Sequence, residues 1–203
     1  MPLIKTDGRI VVTASGVHDP ESPGGAQGEL AGLGELAGLE DAAAAGTRRF
    51  DMVDGGAFNA DKAYKDSKLC NVLFTRELQR RLRDGGSNIR ADCFNPGLIV
   101  GTGLFRDQNQ VFTKVFDVAA TNLLKVGETP HWGGGALEYV ALDAGAGEEG
   151  GGRYFSSPPG SSKYGDAAFG REFRARGVSR EARESDGGKG RRLWELSEKL
   201  VGV

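Results

Sequence analysis

DKAYKDSKLCNVLFTRELQRRLRDGGSNIRADCFNPG, residues 61–97, holds a helix, a stop and a strand in immediate succession. Cys70, Phe74, Leu78 and Leu82 recur at spacing four, Leu69 and Leu73 widen the apolar stripe, and Arg76, Arg80 and Arg83 read as a solvated face. That periodicity predicts a helix from residue 61 to about residue 83. Gly85 and Gly86 end it. IRADCFNPG, residues 89–97, then reads as a buried strand broken by Asn-Pro-Gly. Upstream, RIVVTA at residues 9–14 is a short β-branched run closed by Ser-Gly, the form of a strand buried on both faces of a parallel sheet. Strand, helix, strand is a βαβ unit, and it predicts an α/β fold with a parallel sheet and flanking helices. Ser15 falls at the C-terminal end of the first strand, the edge at which open α/β sheets bind ligands.

Outward from this unit the pattern weakens. Residues 16–59 are glycine-rich and poorly periodic, with LAGLGELAGL at residues 30–39 hinting at a short helix. Residues 102–125 carry apolar side chains at roughly helical spacing, GGGALEYVALD at 133–143 reads as a helix, and GRYFSS at 152–157 as a short last strand. The tail RRLWELSEKLVG, residues 191–202, is amphipathic and offers Leu193, Trp194, Leu196 and Leu200 for docking. Thirty-three glycines cluster at residues 24–46, 145–152 and 187–190, which read as loops or tolerated insertions.

At 203 residues the chain suits one domain. Net charge is −2, from 26 basic and 28 acidic residues without a basic stripe, which argues against nucleic acid as a partner. No apolar run reaches membrane-span length. The N-terminus, MPLIKTDGRI, has neither a secretory core nor the character of a transit peptide, so Met1 as true start implies a cytoplasmic protein. Cys70 and Cys93 lack partner ligands at metal spacing and read as small core residues, in keeping with a reducing compartment. His18 and His131, likewise isolated, read as loop or surface residues.

Tyr64 and Lys68 lie four apart, hence on one face of the predicted helix. A tyrosine alone is a weak acid, with a pKa near ~10, and a neighbouring ammonium favours its phenolate and lowers that value. Such a pair can move a proton, with Ser15 holding a substrate oxygen or a water. Spaced Tyr and Lys also occur by chance in many helices, so the pair gains weight from the Ser-ended strand before it and the Pro-Gly-ended strand after it.

That arrangement resembles the short-chain dehydrogenases/reductases. The stretches DGGAFNADKAYKDSKLCNVL (54–73), NPGLIVGTGLFRD (95–107) and RRLWELSEKLVG (191–202) are similar to the light-dependent protochlorophyllide oxidoreductases of that superfamily, with matches from residue 8 to the C-terminus. The resemblance implies an enzyme using NADPH as cofactor, with hydride delivered to one carbon of the pigment's D-ring double bond and a proton to its neighbour, triggered by light. It implies Tyr64 as proton donor, Lys68 as its ribose-binding partner, and Ser15 as the accompanying catalytic hydroxyl. Pro96, Gly97 and Thr102 would flank the nicotinamide, and residues 16–59 with the helices after Thr102 would border a porphyrin pocket. A plastid location follows by the same resemblance.

The sequence departs from the family in three places. Leu98 stands where these oxidoreductases usually carry a cysteine after Pro-Gly, and near the last strand only Tyr154 and Phe155 stand for an aromatic segment. No strand opening through a glycine-rich turn into a helix precedes Arg9. Residues 1–203 therefore read as a single short-chain dehydrogenase/reductase-like domain, the C-terminal portion of a Rossmann-type parallel sheet, with the N-terminal dinucleotide-binding half missing. Its first strand would then expose an apolar edge, which favours self-association. A related short-chain reductase acting on another carbonyl or double bond, and a non-catalytic remnant that binds a partner, are the alternatives.

Overall fold

Along the chain run β1 (Arg9–Thr13), α1 (Ala37–Ala44), α2 (Ala60–Asp84), β2 (Arg90–Phe94), α3 (Pro130–Leu142), β3 (Tyr154–Ser156), β4 (Arg174–Arg176), α4 (Arg180–Glu184) and α5 (Lys189–Val201). This computed structural model describes residues 4–99, 126–147, 150–184 and 188–202. The expected helical stretch at 102–125 lies outside them. Among the described residues the strands form one sheet in the order β1-β2-β3-β4. The first three are parallel, with Val12 opposite Cys93 and Cys93 opposite Tyr154; β4 returns antiparallel to β3. The parallel α/β expectation holds, and GRYFSS contains β3, which is followed by a further strand. Arg-Ala-Arg in β4 carries no apolar alternation that would announce it.

Successive strand residues point to opposite faces, so each strand feeds two cores. Cys93 and Tyr154 join Leu69, Val72, Leu73, Leu193 and Leu196 on the side covered by α2 and α5. Phe94 and Phe155 join Trp132, Ala136, Val140 and Phe173 on the side covered by α3. The result is a sheet with helices on both faces. β1 differs from expectation: it is half-buried along most of its length, because it sits at the sheet edge and pairs only with β2 among the described residues.

α2 begins at Asn59, whose side chain accepts from Lys62 N at 3.0 Å, and ends at Gly85, whose N–H returns to the Arg81 carbonyl. Its buried stripe runs Leu69, Val72, Leu73, Leu78, Leu82, while Phe74 stays 40% exposed and stacks on Trp194 at 5.3 Å. A spacing of four drifts away from one face because the helix repeats every ~3.6 residues. Arg76, Arg80 and Arg83 are not uniformly solvated: Arg80 donates to Glu77 and Asp84, and only Arg83 is largely exposed.

The glycine-rich segment is more ordered than its composition suggests. Leu33, Leu36 and Leu39 are buried, with α1 covering only the last three residues of the hinted helix and running on to Ala44. Charged residues of α2 strap it down. Lys62 Nζ donates to the Gly32 carbonyl at 2.6 Å, Lys65 Nζ to that of Glu29 at 2.6 Å, and Asp66 accepts from Gly32 N at 2.9 Å. Lys65 and Asp66 are buried, and these bonds, with the Lys65–Asp61 and Lys62–Asp66 pairs, compensate their lost hydration. No helix is long and apolar enough to cross a membrane among the described residues.

Candidate active site

The C-terminal ends of β1 and β2 open side by side, tied by Ala14 N donating to the Phe94 carbonyl at 2.8 Å. Immediately after β1, Ser15 caps the one-turn 3-10 helix Gly16–His18, its hydroxyl accepting a long bond from Val17 N at 3.5 Å. The second turn of α2 carries Tyr64, and Lys68 follows one turn later. Asn71 Nδ2 donates to the Thr13 carbonyl at 3.0 Å, fixing that helix against the end of β1.

Ser15, Tyr64 and Lys68 come together. The Ser15 hydroxyl lies beside the Tyr64 phenol and favours its phenolate, and Lys68 Nζ lies 5.4 Å from the Tyr64 ring centroid, within cation–π range. Tyr64 is 38% exposed, so a ligand can reach it. Its pKa is raised above 10.0: burial disfavours the phenolate and outweighs the opposing bond from Ser15. The expected lowering by Lys68 is not found. The ammonium stands over the ring, 5.4 Å from its centroid. At neutral pH Tyr64 is therefore a protonated phenol, suited to donating a proton.

Pro96 and Gly97 form the turn beyond β2. Asn95 Oδ1 accepts from Gly97 N at 3.1 Å, and Asn95 Nδ2 donates to Ser156 Oγ at 3.2 Å, linking the turn to β3. The same Nδ2 is 3.3 Å from where a Cβ on Gly16 would sit, so this turn adjoins the Ser15 turn. Gly97 has φ +86, and a Cβ there would lie 2.3 Å from Glu128 Cγ. Thr102 lies outside the described residues. Leu98 is half-buried and bridges Gly127.

Four residues, Glu128, His18, Tyr154 and Phe155, have a place that the sequence did not reveal. Glu128, 6% exposed, accepts from the Ser161 and Ser162 N–H groups at 2.7 Å each and backs the Pro96–Gly97 turn. His18 is buried against Ser15, Ser179 and Tyr154, contrary to its reading as a loop or surface residue. Its position in a one-turn helix offers no periodicity to reveal this. Tyr154 and Phe155 lie in the two cores instead of facing a ligand. Burial pushes the Cys70 and Cys93 thiols up to about 12, as suits inert core residues.

No family model matches the chain. Over 195 residues it is 32% identical to chloroplastic protochlorophyllide reductase of Pisum sativum and 33% identical to chloroplastic protochlorophyllide reductase A of Arabidopsis thaliana, and each match covers 96% of this chain. The chain is similar to the protochlorophyllide reductases throughout. It spans 45% and 44% of the length of those two relatives. Among solved structures, an uncharacterized protein from Mycobacterium Paratuberculosis matches 96% of this chain and 50% of its own, at 25% identity and a TM-score of 0.51.

Proposed function

We propose that this chain is the catalytic, substrate-facing portion of a plastid NADPH-dependent reductase acting on the D-ring double bond of protochlorophyllide. One observation carries the reading: a protonated tyrosine, held by Ser15 and attended by Lys68, stands at the ligand-binding edge of a parallel sheet. NADPH, when bound, supplies the hydride. Tyr64 gives its proton to the neighbouring carbon, and the Ser15 hydroxyl stabilises the phenolate left behind. Lys68 adds positive charge beside the ring and would hold the ribose of a bound NADPH. Pro96 and Gly97, held by Asn95 and Glu128, offer a fixed surface to a nicotinamide. These residues suit the nicotinamide end of the cofactor. Among the described residues no glycine-rich turn opening a helix is present to take the pyrophosphate.

Mixing the protein with protochlorophyllide tests the pigment part of this reading without requiring the cofactor. A shifted pigment absorption band is expected, and Leu98→Cys should strengthen it by restoring a thiol next to the Pro-Gly turn. An unchanged spectrum with both proteins removes the porphyrin. Leu98 favours a second reading, in which a related reductase takes a carbonyl or another double bond; turnover in darkness would select it.

A further inference from the structure

We propose that His18 is a positioning residue that aims the Ser15 hydroxyl at Tyr64, an inference that rests on the reading of Ser15 and Tyr64 given above. His18 is 1% exposed and both of its ring nitrogens are engaged. Nδ1 lies 2.7 Å from the Ser15 carbonyl oxygen, and Ser179 N donates to Nε2 at 3.3 Å. A backbone N–H can only donate, so Nε2 carries the lone pair and Nδ1 carries the hydrogen that Ser15 accepts. The imidazole is thus held in one neutral tautomer. Burial, which lowers its pKa, favours the same state against the Asp19 carboxylate next to it.

The ring cannot turn freely either. It packs T-shaped against Tyr154, centroids 4.7 Å apart. The Ser15 carbonyl also accepts from His18 N at 3.3 Å, and Ser22 Oγ donates to the Gly16 carbonyl at 2.7 Å, so the peptides on either side of Gly16 are gripped. Ser15 itself is extended, with φ −160 and ψ 155. The direction of its Cα–Cβ bond follows from that peptide orientation, and with it whether the hydroxyl reaches Tyr64. Ser179 precedes α4 and Tyr154 lies in β3, so His18 anchors the Ser15 turn to two parts of the chain remote in sequence.

The test reads the Tyr64 phenol directly and needs no turnover. Protein carrying ring-fluorinated tyrosine, a more acidic phenol, is titrated by fluorine NMR, and Tyr64→Phe assigns the resonance among the four tyrosines. Ser15→Ala removes the hydroxyl and should raise the Tyr64 midpoint by roughly one pH unit. His18→Phe, which keeps an aromatic ring against Tyr154, should raise it in the same direction. His18→Asn, whose amide nitrogen can take the place of Nδ1, should restore it. Where His18→Phe does not fold, His18→Leu asks the same question, since a smaller apolar side chain also offers no donor to the Ser15 carbonyl. A midpoint that moves in Ser15→Ala but stays put in the folded His18→Phe or His18→Leu protein overturns the proposal and leaves the Ser15–Tyr64 reading intact. A midpoint unmoved even in Ser15→Ala defeats both.

Discussion

Tyr64 faces the sheet's ligand edge as a protonated phenol, and that state assigns the order of loss among its neighbours. In any preparation that turns over, Tyr64→Phe removes the proton source of the proposed reaction and should slow reduction by ~10²- to 10⁴-fold, measured as single-turnover product formation. Lys68→Met should cost a comparable factor. Ser15→Ala should cost less, because the hydroxyl assists without supplying the proton; a Tyr64→Phe loss of only a few-fold would assign the proton to another group. Gly97 carries a different expectation. Ala there combines a strained φ of +86 with a Cβ 2.3 Å from Glu128 Cγ, so Gly97→Ala should lower stability by about 2 kcal/mol or more in denaturant unfolding. Glu128→Ala should cost about 1–3 kcal/mol by leaving two N–H groups unpaired. The double variant should be less unstable than the sum, since shortening Glu128 clears the space the new methyl needs. Tyr64, Lys68 and Ser15 were legible in the sequence because their relation is local, one helical turn plus a strand end. Glu128 and His18 were not, because the Ser161 and Ser179 N–H groups they accept lie 33 and 161 residues away.

At the scale of elements, β1, α2 and β2 announce themselves through periodicity and punctuation, whereas α4 and β4 are too short to show any. The ordering of residues 16–59 was also hidden, because α2 supplies it through Lys62, Lys65 and Asp66 instead of a pattern within the segment. The Gly16–His18 turn gives this level its own pH dependence. The His18 pKa is lowered from 6.5 in the folded protein, mainly by burial, so the unfolded chain binds more protons as pH falls below that value. The stability His18 contributes is present above about pH 6.5 and declines as pH drops from there toward the folded pKa. Asp54 and Glu77, whose pKa values are lowered by hydrogen bonds from Gly56 and Arg80, lose their contributions at lower pH, below 3.8 and 4.5. Melting temperature should therefore fall as pH drops below about 6.5 in the native protein. In His18→Gln it should start lower and stay flatter across the same window. Parallel curves for the two proteins would place the titration elsewhere.

For the whole molecule, the arrangement of ends decides what these 203 residues can do alone. A Rossmann-type site holds the cofactor pyrophosphate on backbone N–H groups at a helix N-terminus opened by a glycine-rich turn, and that contact contributes much of the affinity. Among the described residues β1 leads only into the one-turn helix after Ser15, and β2 into the Pro96–Gly97 turn. On the proposed reading, both face the nicotinamide end of the cofactor. A preparation of these 203 residues should accordingly bind NADPH no better than weakly, with no saturable heat or nicotinamide fluorescence change at micromolar concentrations. The edge of β1 points the same way. Its residues Ile10, Val11 and Val12 are half-buried, and its outer backbone groups have no strand partner among the described residues. An unpaired, apolar strand edge invites pairing with another chain, so sedimentation should show association that rises with concentration. Micromolar NADPH binding by a monomer would reverse both expectations, and would mean that residues outside the described set form a phosphate cradle.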